Sequence, residues 1–384
     1  MILIARTLYG LEEVLAGELR EIGAEEIRTA NRAVIFKGNK RLLYRANYLS
    51  RTALAVLMQI SEFSIKTKDD LYRNCMGIDW DRFLKQDQTF AVSSVVNSRI
   101  FSHSGYPALV VKDAVADWFR KKSGKRPSVD TSDPHVIINL HISGSLVNIS
   151  LDSSGAPLYK RGYRRASTQA PLNEVLAAGI IKLSGWDPSS DFLDPMCGSG
   201  TLPVEAALMA CSIPPGKFRD SFGFMKWPGY DPGLFEEILK ESEKKVSLPK
   251  MNISGSDISG EAVKKAQINV RTAGLEEVVR IRKADFRELK AEGDSGFIVM
   301  NPPYGERLKP EALNELYSMI GSALKHNFPG YKAWIISSDK EAMKQIGLKP
   351  AKKFKVYNGP LECVLAGYNM YQGSRRKEEV KSKK

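Results

Sequence analysis

Hydrophobic and polar residues alternate along the first part of the chain in two blocks of mixed periodicity. From Ile2 to Lys37, a short apolar strand leads into a helical spacing that places Leu11, Val14, Leu15 and Leu19 on one face. The apolar run Ala33-Val34-Ile35-Phe36 follows, so this stretch predicts a small α+β unit. Between Ala46 and Asp152 helical patterns such as Val111–Phe119 mix with strand patterns at Phe90–Val96, Val136–Ile142 and Leu146–Leu151, a second α+β unit. The turn formers Ser153-Ser154-Gly155-Ala156-Pro157 and the cluster Tyr159-Lys160-Arg161-Gly162-Tyr163-Arg164-Arg165 then mark a boundary. Beyond it, helical patterns alternate with β-rich runs at Asp191–Met196, Asn252–Asp257, Val278–Ala284, Gly296–Asn301 and Tyr331–Ser337. This alternation predicts an α/β fold with a mostly parallel sheet and crossover helices. The last two runs, Lys353–Tyr357 and Val364–Tyr371, flank Asn358-Gly359-Pro360 and predict an antiparallel hairpin at one sheet edge. The expected divisions are 1–45, 46–155, a basic linker 156–170, a large domain 171–373 and a basic tail 374–384.

Composition narrows the class. The 384 residues are 43% hydrophobic and 26% charged, enough apolar material for two or three packed domains. Net charge is +13, unevenly spread: residues 1–165 carry 25 basic and 17 acidic side chains, 166–373 carry 26 and 25, and 374–384 carry 6 and 2. A basic front and tail around a near-neutral module suit a polyanion-binding part joined to a catalytic or ligand-binding part. Cys75, Cys197, Cys211 and Cys363 are too widely spaced for a zinc site or a disulfide framework, and His103, His135, His141 and His326 have no metal-ligand spacing. No metal is expected. Charges interrupt the opening MILIARTLYGLEEVL, and no stretch approaches 18 uncharged apolar residues, so a soluble protein of a reduced cytoplasmic compartment, with no membrane partner, is expected.

The first strand of the large domain runs into Asp194-Pro195-Met196-Cys197-Gly198-Ser199-Gly200-Thr201 and then an apolar helix. Ligands of open parallel sheets sit beyond the carboxyl ends of the strands, where glycine lets backbone approach them. A dinucleotide fold calls for G-x-G-x-x-G and an acid about 20 residues on; the third glycine is missing, and the next strand-end acid is Asp257. What remains is Asp194 to accept from an ammonium group and glycine backbone beside a ribose. Asp257 can accept the ribose hydroxyls, and Asp285 can accept from an adenine amine packed by Phe286. Such a set suits S-adenosylmethionine, with Cys197, Gly198, Gly200 and Thr201 completing the cofactor loop.

The fourth strand leads into Asn301-Pro302-Pro303-Tyr304. Adjacent prolines remove two backbone donors and restrict the chain, so the Asn301 side-chain carbonyl and the Pro302 carbonyl can face one point. Two acceptors suit the two hydrogens of an exocyclic base amine. Such an amine is a poor nucleophile, and accepting its hydrogens stabilises the positive charge that develops as it attacks. Tyr304 is then placed to stack on the base.

On these motifs the chain resembles the class I S-adenosylmethionine-dependent amino methyltransferases. It is most similar to the THUMP-domain RNA guanine-N2 methyltransferases, in particular to the bacterial large-subunit rRNA enzymes. The resemblance covers a ferredoxin-like start, a THUMP region with Arg126-Pro127-Ser128-Val129-Asp130, the Leu158-to-Arg164 connection, Asp194–Thr201, Gly223-Phe224, Asn301–Leu308 and Asn358-Gly359-Pro360-Leu361. It implies a Rossmann-like methyltransferase sheet preceded by ferredoxin-like and THUMP modules, S-adenosylmethionine as cofactor, and RNA as partner, as large-subunit rRNA or an assembly intermediate. Cofactor contacts would fall on Asp194, Gly198, Gly200, Asp257 and Asp285, and amine contacts on Asn301, Pro302 and Tyr304. Because Asn-Pro-Pro-Tyr also occurs in adenine-N6 methyltransferases, guanine rests on the resemblance, and a tRNA substrate or a non-catalytic assembly factor are the competing readings. Lys121, Lys122, Lys125 and Arg126 at a helix end, and Lys160, Arg161, Arg164 and Arg165 at the domain junction, are the expected RNA contacts. Phe218, Phe222, Phe224, Trp227 and Tyr230 fit either a base pocket or a packed core.

Overall fold

The structure is a computed structural model that describes residues 1–168, 171–304 and 309–371. The basic tail, part of the 156–170 linker and the Gly305–Leu308 end of the reaction motif lie outside the described residues. In chain order the first elements are β1 (Ile2–Arg6), α1 (Glu12–Glu21), β2 (Glu25–Ala30), β3 (Ala33–Lys37), α2 (Lys40–Leu49), β4 (Ala55–Ser64), α3 (Lys68–Met76), β5 (Thr89–Asn97), α4 (Tyr106–Ser123), β6 (Ser128–Val129), β7 (Val136–Ser143) and β8 (Leu146–Asp152). There follow α5 (Glu174–Ser184), β9 (Phe192–Asp194), α6 (Thr201–Ala210), α7 (Pro232–Glu243), β10 (Ile253–Asp257), α8 (Gly260–Thr272) and β11 (Val279–Lys283). The last are β12 (Phe297–Met300), α9 (Pro310–Asn327), β13 (Lys332–Ser337), α10 (Lys340–Gln345), β14 (Lys352–Asn358) and β15 (Leu361–Asn369). Among the described residues no helix is long and apolar enough to cross a membrane.

Two compact units are assembled from interleaved stretches of chain. One comprises Met1–Thr7, Leu15–Leu158 and Arg219–Glu241, and the other Leu8–Val14, Tyr159–Phe218 and Ser242 onward. The first unit carries one sheet in the order β2-β3-β1-β4-β8-β7-β5-β6, antiparallel except where β5 runs parallel to β7 and β6. β4 pairs with both β1 and β8, so the two α+β blocks read from the sequence share a continuous sheet.

The aromatic stretch after Pro214 settles into this unit's core. Phe222 and Phe224 stack at 5.3 Å, Tyr44 stacks on Phe224 at 4.2 Å, and Phe235 meets both phenylalanines edge-on. Of the two readings for Phe222 and Phe224, packing is the one found: both are buried among Leu43, Tyr48 and Ile238. The turn at Ser153–Pro157 is likewise tied down, unlike a solvated linker. Ser153 and Ser154 are buried and bond Val56 O and Asn47 Oδ1, and Arg219 donates to the carbonyls of Ser154, Ala156 and Pro157.

The second unit is the α/β layer. Its sheet runs β11-β10-β9-β12-β13-β15-β14, parallel from β11 through β13 and antiparallel over β13, β15 and β14. The mostly parallel sheet and its antiparallel edge hairpin are those expected from the sequence. The chain enters at central β9, winds outward to β11 and returns to β12 on the other side of β9. Between β9 and β12 the winding direction reverses, which is where open sheets of this kind leave a crevice beyond their carboxyl ends. β9, β12 and β13 are almost wholly apolar and buried on both faces, as strands covered by helices must be.

Candidate active site

The crevice is real: a cavity of about 720 Å³ opens beyond the ends of β9, β10, β11 and β12, within the range of small-molecule sites. Its wall includes Asp194, Cys197, Gly198 and Thr201 from the first turn, Asp257 after β10, Asp285 and Phe286 beyond β11, and Asn301 and Pro303 after β12. The structure thus brings together residues more than a hundred positions apart in sequence.

Each acid has a distinct environment. Asp194 is 2% exposed and accepts from the Met196 backbone N–H at 3.1 Å. Burial, with the Asp257 carboxylate adding to it, holds its carboxyl well above the ordinary aspartate range. Asp257 braces the loop, one oxygen accepting from Gly198 N at 2.9 Å and the other from Ser259 N at 2.9 Å. Each oxygen keeps capacity for a further hydrogen bond. Asp285 lies two residues past β11, and the Arg287 guanidinium and backbone N–H hold its carboxyl below the usual range. Phe286 is buried against Phe328 at 5.6 Å while also contributing to the cavity wall.

Asn301 has the most telling environment. Its side-chain oxygen is buried and, among the described residues, has no hydrogen-bond partner. An unpaired buried acceptor costs free energy unless something outside the chain satisfies it. The turn behind it is supported by Tyr317, buried in α9, whose hydroxyl donates to Ser337 Oγ at 2.8 Å and lies 3.5 Å from the Pro303 carbonyl.

Other expected site residues fall elsewhere. Pro302 is buried and Tyr304 is 3% exposed; neither belongs to the cavity wall. The Tyr304 hydroxyl accepts from Asn358 Nδ2 at 2.7 Å, so its ring is packed in the core in this conformation and does not face a base. Gly200 also lies outside the wall. Its φ of +81° and the Ala266 Cβ, which a side chain there would meet at 3.0 Å, show that it serves the turn and the approach of α8.

The junction arginines divide. Arg161 and Arg164 do not face solvent, as RNA contacts would have to. Arg161 is 2% exposed and 3.6 Å from the fully buried Glu205, while Arg164 pairs with Glu174 at 3.2 Å and donates to Thr201 Oγ1 at 2.9 Å. Tyr163 donates to the same Glu205 at 3.0 Å. These cations are drawn inward by carboxylates on α5 and α6, anchoring the 161–168 strap beside the glycine loop. Lys160 and Arg165 remain exposed. Glu205 is the buried carboxylate that both Arg161 and Tyr163 face, so Glu205→Ala should cost about 3–5 kcal/mol in the unfolding of this unit. Urea melts of the full chain measure this, and a loss under about 1 kcal/mol would contradict it. In the first unit Lys121, Lys122, Lys125 and Arg126 are all exposed at the end of α4, although Lys122 also pairs with Asp81 and lies over Trp118 at 4.8 Å.

Sequence reasoning missed two residues. Asn269 in α8 is 1% exposed; its Oδ1 accepts from Arg165 N and Ala166 N at 2.9 and 3.0 Å, and its Nδ2 donates to Ala166 O and Ser199 O at 2.7 and 2.9 Å. It thereby staples the strap to the glycine loop. Ile258, directly after Asp257, is 64% exposed in the cavity wall, an apolar platform left uncovered by the fold. An apolar residue following a strand-end acid was the available signal.

Three family models match: an RlmL ferredoxin-like domain over residues 2–57, a THUMP domain over 66–152, and an RMKL-like methyltransferase domain over 161–367. A protein of Synechocystis sp. named "Putative RNA methyltransferase slr0064" is 37% identical over 96% of both chains. This chain belongs to the THUMP-containing, RMKL-like RNA methyltransferase family. Among solved structures, SMU.472, crystallised with SAH, is 30% identical with a TM-score of 0.88 over 97% of this methyltransferase and 99% of that chain. A Listeria monocytogenes protein described as a predicted N6-adenine-specific DNA methylase is 29% identical with a TM-score of 0.86, covering 96% of each chain.

Proposed function

We propose that this RNA methyltransferase modifies the exocyclic N2 amine of a guanine in large-subunit rRNA, with S-adenosylmethionine as methyl donor. The carrying observation is the buried Asn301 oxygen, unpartnered among the described residues, on a side chain in the wall of a cavity that also presents Asp194, Asp257 and Asp285. When bound, S-adenosylmethionine supplies an electrophilic sulfonium methyl. Asp194 holds the donor's ammonium, Asp257 its ribose, and the Asp285–Phe286 side with Ile258 its adenine. Asn301 accepts one hydrogen of the substrate amine, and a backbone carbonyl of its proline turn accepts the other, which fixes the nitrogen lone pair toward the methyl. As the N–C bond formed, the sulfonium S–CH3 bond would break and S-adenosylhomocysteine would leave; the nitrogen would then be cationic and its proton acidic enough to pass to solvent, so no strong base is required. A recessed acceptor demands that the target nucleotide be unpaired or flipped out.

Transfer of labelled methyl to undermodified large-subunit rRNA and, separately, to tRNA tests the substrate. Incorporation into rRNA alone supports the reading; incorporation into tRNA alone overturns it. Adenine N6 is the second reading, favoured by the name of the Listeria relative and by the same Asn-Pro-Pro-Tyr turn, which accepts from any flat exocyclic amine.

A further inference from the structure

The antiparallel hairpin of the second unit carries a feature that the methyl-transfer chemistry does not use. β14 runs in the same direction as β13, since both are antiparallel to β15. Its carboxyl end, Tyr357-Asn358, therefore emerges at the same end of the sheet as Asn301, three strands away. At about 4.8 Å per strand that is a lateral offset of roughly 14 Å. A direct link joins the two places, because Asn358 donates to the hydroxyl of Tyr304 in the reaction motif at 2.7 Å.

Side chains two apart on a strand share a face, so Lys353, Lys355 and Tyr357 project together from this edge strand. A fourth side chain is brought to them from the other end of the sequence. Gly10 sits at φ +86° so close to β14 that a Cβ would lie 2.5 Å from the Lys355 carbonyl, and only glycine permits that approach. The preceding residue, Tyr9, is thereby set edge-on to Tyr357 at 5.5 Å, with the Lys355 ammonium 5.9 and 5.6 Å from the two rings. Tyr9 is 40% exposed although it is held in place. Glu362 is occupied by Lys355, Lys340 and the Tyr357 hydroxyl, and Glu12 accepts from the Gly10 backbone N–H at 2.7 Å. Lys353 is exposed and makes no ion pair among the described residues.

We infer that Tyr9, Tyr357, Lys353 and Lys355 form a platform for single-stranded RNA flanking the target nucleotide, the rings stacking a base and the lysines holding its phosphates. Lysines on an edge strand also deter strand-to-strand pairing, but that role asks for no exposed aromatic pair. A cationic track interleaved with fixed aromatic faces is what single-stranded nucleic acid binds, and nothing in the patch reads sequence. The inference rests on the RNA methyltransferase reading but not on the choice of base.

The test compares the full-length wild type with Tyr9→Ala, Tyr9→Phe and Lys353→Glu, using undermodified rRNA and measuring RNA KM, kcat and cofactor affinity. One stacked base is worth about 1–3 kcal/mol, so Tyr9→Ala should raise the RNA KM roughly 5- to 150-fold with kcat at saturating RNA and cofactor affinity unchanged. Tyr9→Phe should stay near wild type, since the ring is what matters, and Lys353→Glu should raise KM while flattening its salt dependence. Ultraviolet cross-linking of bound RNA should place nucleotides on Tyr9 or Tyr357. Unchanged KM in both Tyr9→Ala and Lys353→Glu, or cross-links that avoid this face, would overturn the platform. A wild type that binds cofactor but cross-links to no RNA would instead sink the RNA reading, and the platform with it.

Discussion

Asn301→Ala should bind S-adenosylmethionine within about twofold of wild type and lose at least about 100-fold in the rate of methyl transfer, the loss typical of removing one preorganised hydrogen-bonding group. The reason lies in how Asn301 is built. Its oxygen is buried and has no hydrogen-bond partner among the described residues, a cost that a bound amine would offset. Alanine relieves that cost, and the thermal midpoint should hold or rise while activity falls. Unfolding as the cause of lost activity is thereby distinguishable from loss of the acceptor. Isothermal titration with cofactor, a thermal melt and single-turnover transfer give the three readouts. A variant with near wild-type turnover would remove Asn301 from the mechanism.

Asp194→Asn should act in the opposite part of the cycle. A charge-assisted bond from a carboxylate to an ammonium is worth about 1.5–3 kcal/mol, so cofactor affinity should fall roughly 10- to 150-fold. The cofactor-free variant should nevertheless be more stable than wild type near neutral pH. Burial raises the Asp194 pKa in the folded state, which means the ionised carboxylate opposes folding. That opposition is absent below the unfolded-state pKa and is complete above the folded-state one, so cofactor-free wild type loses stability as pH rises through that window. The Asp194→Asn substitution, which leaves no titratable group at this position, removes this contribution to the pH dependence and leaves those of the other buried carboxyls, Asp152 and Glu174. Cofactor affinity of the wild type should run the other way, weakening as pH falls and the carboxyl takes up its proton. Titrations across pH, beside melts of the free protein, check both signs; an Asp194→Asn protein that binds cofactor normally would contradict the assigned contact.

Much of the site was legible because its chemistry is local. Asp194, Asp257 and Asn301 each sit at the end of an apolar run, and strand ends are where parallel sheets place ligands, so the order of motifs gave the cavity wall. Arg161 and Arg164 were misread for a physical reason. A linker rich in Arg and Tyr has the composition of a solvated, polyanion-facing segment, and only the folded chain reveals that Glu174 and Glu205 stand opposite them. Tyr304 shows a similar limit: the motif fixes its position in the chain, but its ring direction depends on Asn358, which arrives from the edge hairpin. Strand β2 is exposed along nearly its whole length and has no apolar alternation to betray it. The aromatic stretch around Phe222 left a base pocket and a packed core open, since hydrophobicity is not directional and does not say what covers a ring.

Methyl transfer to guanine N2 through Asn301 is tested most directly by its product. The measurement is nucleoside mass spectrometry of the same undermodified large-subunit rRNA after incubation with wild type or with Asn301→Ala, each saturated with S-adenosylmethionine. The wild type should yield N2-methylguanosine and the variant none above background over the same interval. N6-methyladenosine as the wild-type product, or equal N2-methylguanosine from both proteins, would contradict this assignment.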